Sequence, residues 1–199
     1  MEQLYTFGDV ARDPRTRVIS CSYMALVDSS SLEIKAGEDA DEVQWFKVKY
    51  TLFKEKKTLS KEGYIYEKLV KPTLCSEDKD LSAVVKITEN VAGRVTKIER
   101  EVIETNDIAF DHEKFIVYAL ERLRNKIEYT NLVFNLMPEF LTITELQQVF
   151  EIILDKELLA ATFKRKVVDM VIETKEFTKD AGHRPSKLYR FNNEWGKNK

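Results

Sequence analysis

The sequence predicts an α+β chain that ends in a winged helix-turn-helix. Two apolar periods of helical spacing follow closely on each other between residues 142 and 170, and two short β-rich runs flank a basic loop after them. Ahead of these lies a series of β-branched and aromatic runs punctuated by glycine and aspartate turns.

Thr142 and Glu145 have the spacing of a capping box, in which each side chain accepts the other's backbone N–H, so a helix is expected to start there. Ile143, Leu146, Val149, Phe150 and Ile153 then form one apolar stripe. After Asp155 and Lys156, a second stripe of Leu158, Leu159, Phe163, Val167 and Met170 leaves Thr162, Lys164, Arg165, Lys166 and Asp169 to solvent. Residues 171–173 and 188–191 read as strands. The segment between them carries Lys179, Gly182, His183, Arg184, Pro185 and Lys187, the composition of a basic wing.

This arrangement suits double-stranded DNA. A helix fits the major groove, where its polar side chains reach base edges while flanking cations neutralise phosphates. The residues placed for this are Thr162, Lys164, Arg165 and Lys166 on the second helix, with Lys187 and Arg184 in the wing, Arg184 being suited to the minor groove. Between residues 163 and 190 there are eight Lys or Arg against four Asp or Glu, in a chain whose net charge is −2. The same pattern describes a solvated helix face on a protein-binding winged helix, and both partners remain open at this stage. Winged helices on DNA commonly act as two-fold dimers, so a homodimer is expected.

A length of 199 residues corresponds to one or two domains, and 43% hydrophobic with 33% charged residues is an ordinary soluble composition. No apolar run approaches the ~18 residues of a membrane span, and the first residues lack a signal pattern, so a cytoplasmic protein without a membrane partner is expected. Cys21 and Cys75 stand alone and are expected to be buried free thiols. His112 and His183 are the only histidines, too few for a His-rich metal centre. Residues 1–140 hold 21 basic and 25 acidic side chains, residues 141–199 hold 11 and 9. Pro138 disfavours helix at Met137, which places a domain boundary between 1–137 and 138–199.

Along the front part, residues 3–7 read as a strand, followed by turns at Gly8-Asp9 and Asp13-Pro14-Arg15. Residues 17–27, RVISCSYMALV, form the strongest strand pattern and are expected to be covered on both faces. An acidic loop at 36–42 precedes another expected strand at 43–48. Residues 49–105 read as two inserted β-hairpins, 50–53 with 64–69 and 81–88 with 94–103, each turn carrying a glycine. They serve either as plain scaffold or as a partner surface. A helix over 113–127 buries Phe115, Ile116, Ala119, Leu120, Leu123 and Ile127, with Asp111 as its expected cap and Glu113 at its positive end. His112 is read as structural, with a ligand or base role as the alternative. Arg122, Arg124 and Lys126 lie on the other face, solvated or in contact with phosphate, and residues 129–134 are expected to add a strand.

The blocks LYTFGDVARDPRTRVIS, AGEDADEVQWFKV, IAFDHEKFIVYALERLRNKIEYT, FNLMPEFLTITELQQVFEIIL and GHRPSKLYRF, in this order, resemble the Nudix-related transcriptional regulators. The resemblance implies a Nudix-like mixed sheet ahead of the winged helix, and regulation of genes of NAD or pentose metabolism by ADP-ribose or a related nucleotide. It places Arg12, Asp13, Arg15 and Arg17 in the block that lines the effector cleft, where forked arginine donors suit a diphosphate; a plain turn at Asp13-Pro14-Arg15 is the other reading. It also implies that Met1 falls after the family's metal-binding Nudix box, leaving the Nudix-like domain incomplete. The segment from Arg100 to Ile108 matches the box only in part: Lys86 and Ala92 stand where its first Gly and Glu are required, and Thr105 and Asp107 replace later ones. Metal-assisted hydrolysis is therefore not expected, and no cofactor is implied. Some relatives are ADP-ribose pyrophosphatases, so a hydrolase fragment, or a DNA-independent interaction module, is the alternative function.

Overall fold

A computed structural model describes residues 1–10, 12–37, 41–178 and 185–197. The chain divides into two units, one of Met1–Met24 with Ile34–Arg122 and one of Ala25–Glu33 with Leu123–Lys199. Among the described residues no helix is long and apolar enough to cross a membrane.

In the first unit, strands β1 (Glu2–Phe7) and β2 (Ser20–Met24) form an antiparallel ribbon. Strands β3 (Lys47–Leu59), β4 (Gly63–Cys75), β5 (Asp80–Ala92) and β6 (Val95–Asn106) form an antiparallel meander in that order. Residues 49–105 thus build one four-stranded sheet, longer and more continuous than two hairpins. Helix α1 (His112–Ile127) lays Ile116, Val117 and Leu120 on one face of it, over Tyr50, Val70, Ala83, Val85 and Ile87. Alternation along β5, where Ala83, Val85 and Ile87 are buried, is what one covered face requires. Phe7 stacks on Phe115 and Tyr5 on Tyr118, with ring centroids 3.8 and 4.5 Å apart, which packs β1 against α1.

Gly63 opens β4 so close to its neighbour that an added Cβ would meet the Val91 carbonyl oxygen at 1.9 Å. Gly63→Ala is expected to cost about 1–3 kcal/mol by forcing the strands apart. Thermal melting checks this, and an unchanged midpoint would show that the β4 start yields freely.

Several expectations are corrected. Residues 17–27 are not a long strand covered on both faces; only Ser20–Met24 is extended into pairing, and Ile19, Tyr23 and Val27 are exposed. The reason is that successive side chains of β2 alternate between a partly covered face, Ser20, Ser22 and Met24, and an exposed one, Cys21 and Tyr23. Pairing begins at Lys47 rather than 43, since residues 43–46 pair with no strand among the described residues. Cys21 is exposed for the same reason as Tyr23, and Cys75 is partly buried; both are free. Residues 132–136 form a 3-10 turn in place of a strand, because Thr130 bonds back to the Lys126 carbonyl and Phe134 N–H to that of Asn131. Asp111 does not spend its carboxylate on a helix cap, since both oxygens are taken by Arg12.

In the second unit, helices α2 (Ile143–Leu154) and α3 (Ala160–Val167), then strands β7 (Val171–Phe177) and β8 (Lys187–Phe191), follow in winged-helix order. Leu141 adds a bridge to Tyr189 through two backbone hydrogen bonds of 2.8 and 2.9 Å. Ile127, Val133, Met137, Leu141, Leu146, Phe150, Phe163, Val167 and Met170 make its core.

Candidate nucleic-acid interface

The capping box forms as expected: Glu145 N–H donates to Thr142 Oγ1 at 3.1 Å and Thr142 N–H to Glu145 Oε2 at 2.7 Å. At its other end α2 stops on Asp155, whose φ of 54° turns the chain out of the helix. The turn that follows is fixed by side chains. Gln147 Nε2 donates to Glu151 Oε1 and to the Leu158 carbonyl, both at 2.9 Å, and Leu158 N–H donates to Glu151 Oε1 at 2.8 Å. These bonds hold the Glu151 carboxyl below the usual carboxylate range. They also set the angle at which α3 leaves the turn.

Helix α3 is only eight residues long, so packing rather than propensity holds it. Phe163 and Val167 enter the core, and Phe163 meets Phe150 edge to face at 5.1 Å. The outer side then shows Thr162, Lys164 and Arg165, all exposed, with Arg165 3.5 Å from Thr162 Oγ1. Lys166 is more engaged: its Nζ lies 3.9 Å from Glu128 Oε1 and over the Phe150 ring. Leu159, the residue before α3, is 80% exposed, more than any other large apolar side chain among the described residues of this unit. The sequence period assigned it to the core; in fact it caps the helix from outside, because helix begins only at Ala160.

The base of the wing is tied by Thr178 N–H to the Ser186 carbonyl at 2.9 Å and by Ser186 N–H to Thr178 Oγ1 at 3.0 Å. Lys187 is ion-paired with Glu173 on the neighbouring strand, which depresses the Glu173 carboxyl and raises the Lys187 ammonium. Arg184, the expected minor-groove residue, lies outside the described residues. Arg190 is exposed on β8 opposite Ile172 and was not singled out from sequence. Its alternation with Tyr189 was the available signal.

The effector residues assigned from sequence sit in the first unit. The Arg12 side chain is 7% exposed and donates from Nε and Nη2 to the two Asp111 oxygens at 3.0 and 2.9 Å, and from Nη1 to Ser20 Oγ at 2.6 Å. Arg15 forks onto Asp13 at 3.0 and 2.8 Å, holding that carboxyl down at about 2, while Arg15 Cζ lies over the Phe110 ring. Arg15 N–H also donates to Asp13 Oδ1, the hydrogen bond of an Asx turn. Arg17 makes one long bond, Nη2 to the Gly8 carbonyl at 3.5 Å. A cleft of about 500 Å³ opens between β1, β5, β6 and α1, lined by Asp9, Lys86, Arg100, Lys114 and Tyr118 among others. Its cations are already paired, Lys86 with Glu67, Arg100 with Glu121 and Lys114 with Asp9.

His112 sits edge-on to Phe110 and Phe115. Arg122 donates to the Leu4 carbonyl at 2.9 Å and Arg124 to that of Ile153 at 2.6 Å, so both are anchored to backbone rather than simply solvated. Residues 100–106 lie in β6, whose extended backbone cannot present the carboxylates of a metal-binding helix. Among the described residues no group of three or more His, Cys, Asp or Glu side chains is placed to hold a metal ion.

Residues 133–191 match the family model of the NrtR DNA-binding winged helix domain. Over 86 residues, 43% of this chain, the sequence is 45% identical to the ADPR responsive transcriptional repressor NtrR of Acinetobacter baylyi, of which that stretch is 34%. The fold is similar to a MutT/nudix family protein from Enterococcus faecalis, with a TM-score of 0.59 and 26% identity, covering 96% of this chain and 61% of that one. It is also similar to Shewanella oneidensis NrtR in complex with a 27mer DNA, with a TM-score of 0.56 and 22% identity over 97% of this chain and 64% of that one. The chain thus spans less than two thirds of the length of each of these relatives. They bear out the resemblance to Nudix-related regulators and the α+β architecture that ends in a winged helix.

Proposed function

We propose that this chain is a DNA-binding transcriptional regulator whose affinity is tuned by ADP-ribose or a related nucleotide, and that it works as a homodimer in the cytoplasm without enzymatic activity of its own. The observation that carries the reading is the outer side of α3. Thr162, Lys164 and Arg165 stand exposed on a helix within a winged-helix unit that matches a DNA-binding family model. The DNA-binding domain is the unit that runs from Leu123 and includes the matched residues 133–191, a start earlier than the 138 expected from Pro138, and the effector domain is the unit ahead of it. Lys164 and Arg165 neutralise phosphates first, Lys166 after leaving Glu128, and Lys187 after leaving Glu173. Arg184 completes the wing contact.

Ion pairing ranks the effector residues. Arg12 is committed to Asp111 and Ser20, which supports a positioning role, and Arg15 must release Asp13 before it binds an anion. Arg17 has spare donors, so a diphosphate meets Arg17 first.

Fluorescence anisotropy of the chain on duplex from its own upstream region, across salt and with or without ADP-ribose, tests this. Binding stronger than to a scrambled duplex and shifted by the nucleotide is the expected result. Lys164→Ala is expected to weaken binding to all sequences and to reduce the salt slope by about 1. Equal binding to the two duplexes, or ADP-ribose hydrolysis by the chain with magnesium, would overturn the reading.

A further inference from the structure

Between residues 47 and 71 the sequence holds eight lysines and three glutamates, within the otherwise acidic front of the chain. Most lie on β3, which among the described residues pairs with β4 alone and so forms an edge of the four-stranded sheet. Tyr50 is buried on the face that α1 covers, so Lys47 and Lys49 point to the other face. Plain alternation would then send Lys54 and Lys56 to the α1 side. The register shift between Leu52 and Lys54 reverses this, since one extra residue flips every side chain beyond it. Lys54 now stands opposite Leu69 and Lys56 opposite Glu67, neighbours of buried Val70 in odd register, on the same face as Lys47 and Lys49.

All four are exposed and form no ion pair among the described residues. Glu67 is already taken by Lys86 at 2.6 Å. The other face differs: Lys57 lies 3.9 Å from the Tyr64 ring centre and Lys68 5.0 Å from that of Tyr66, while Tyr66 donates to Glu55. The bulge thus collects the uncommitted cations on one side. Each pair, Lys47 with Lys49 and Lys54 with Lys56, is spaced about 6.8 Å apart along the strand, so the four charges form a row rather than a single cluster.

We propose that this edge is a second phosphate-binding surface, which holds duplex DNA backbone in addition to the phosphates held by the winged helix. The proposal rests on the DNA-binding reading above. Its contacts carry no base information, because lysines on an extended strand meet phosphate as point charges.

The test replaces Lys47, Lys49, Lys54 and Lys56 by glutamine in the full chain and measures anisotropy on operator and scrambled duplexes across salt, with a lysine-to-arginine set as control for folding. The glutamine set is expected to lower the salt slope by ~3.6, so doubling the salt weakens the parent about twelvefold more than the variant. Operator preference stays, and the arginine set keeps the parent slope. An unchanged slope in a folded glutamine set overturns the proposal and leaves the regulator reading intact. The lysines would then be edge protection if the glutamine set aggregates, or a contact to the Glu99, Glu101 and Glu104 side of a second copy if self-association is lost. A parent that binds both duplexes equally, with a slope that depends on these lysines, would sink the operator reading and keep this one.

Discussion

Phe150→Ala is expected to destabilise the winged-helix unit by about 3–5 kcal/mol, a large fraction of the roughly 5–15 kcal/mol that holds an ordinary domain folded. Phe150 is 1% exposed and meets Phe163, which with Val167 anchors α3. An eight-residue helix does not persist without such packing. Loss of the ring leaves a cavity under the surface that carries Thr162, Lys164 and Arg165, and removes the face over which Lys166 lies at 5.6 Å. DNA affinity should therefore fall on every duplex, even at temperatures where most molecules remain folded. Phe150→Leu, which keeps much of the volume, should retain most of both properties. Circular dichroism melts with anisotropy on the same samples check this. A melting midpoint within a degree or two of the parent would show that α3 is held by something other than this contact.

What was legible in the sequence was local. The capping box of Thr142 and Glu145 needs residues three apart, and the α2 stripe needs one helix, so both were found with no knowledge of the rest. The outer side of α3 followed from the positions of Phe163 and Val167. Features that depend on a neighbour were not legible. Residues 17–27 have the letters of a doubly covered strand, yet whether a second layer exists is a property of the sheet. Leu159 fits the apolar period but precedes the helix, which a period cannot reveal. The β3 lysines look scattered over both faces until the bulge beyond Leu52 is known. Arg12 read as an anion ligand because its partner lies 99 residues away. The resemblance to a known family offers that arginine as an effector ligand, whereas its donors are spent on Asp111 and Ser20.

That pairing sets the other large effect. Asp111→Ala leaves the Arg12 guanidinium, 7% exposed, with Ser20 Oγ as its one side-chain hydrogen-bond partner among the described residues, and is expected to cost about 3 kcal/mol. Asp111→Asn keeps one acceptor and should cost less. The Arg12 hydrogen bonds hold the Asp111 carboxyl below its ordinary value, against the opposing effect of burial. A group with a depressed folded value binds its proton more weakly in the native state than in the unfolded chain. Its contribution is therefore complete above the unfolded value of about 3.9 and is lost as pH falls through the folded value. Arg12, raised further by the same pair, stays charged throughout and adds no slope in this window. The parent should lose stability on acidification below about pH 4 more steeply than Asp111→Asn, and the two curves should converge at the acid end. Urea unfolding at a series of pH values measures the difference. A gap that stays constant from neutral to acid pH would mean that the pair acts through packing and the Arg12 stack on Phe115, 5.6 Å away, rather than through its charge.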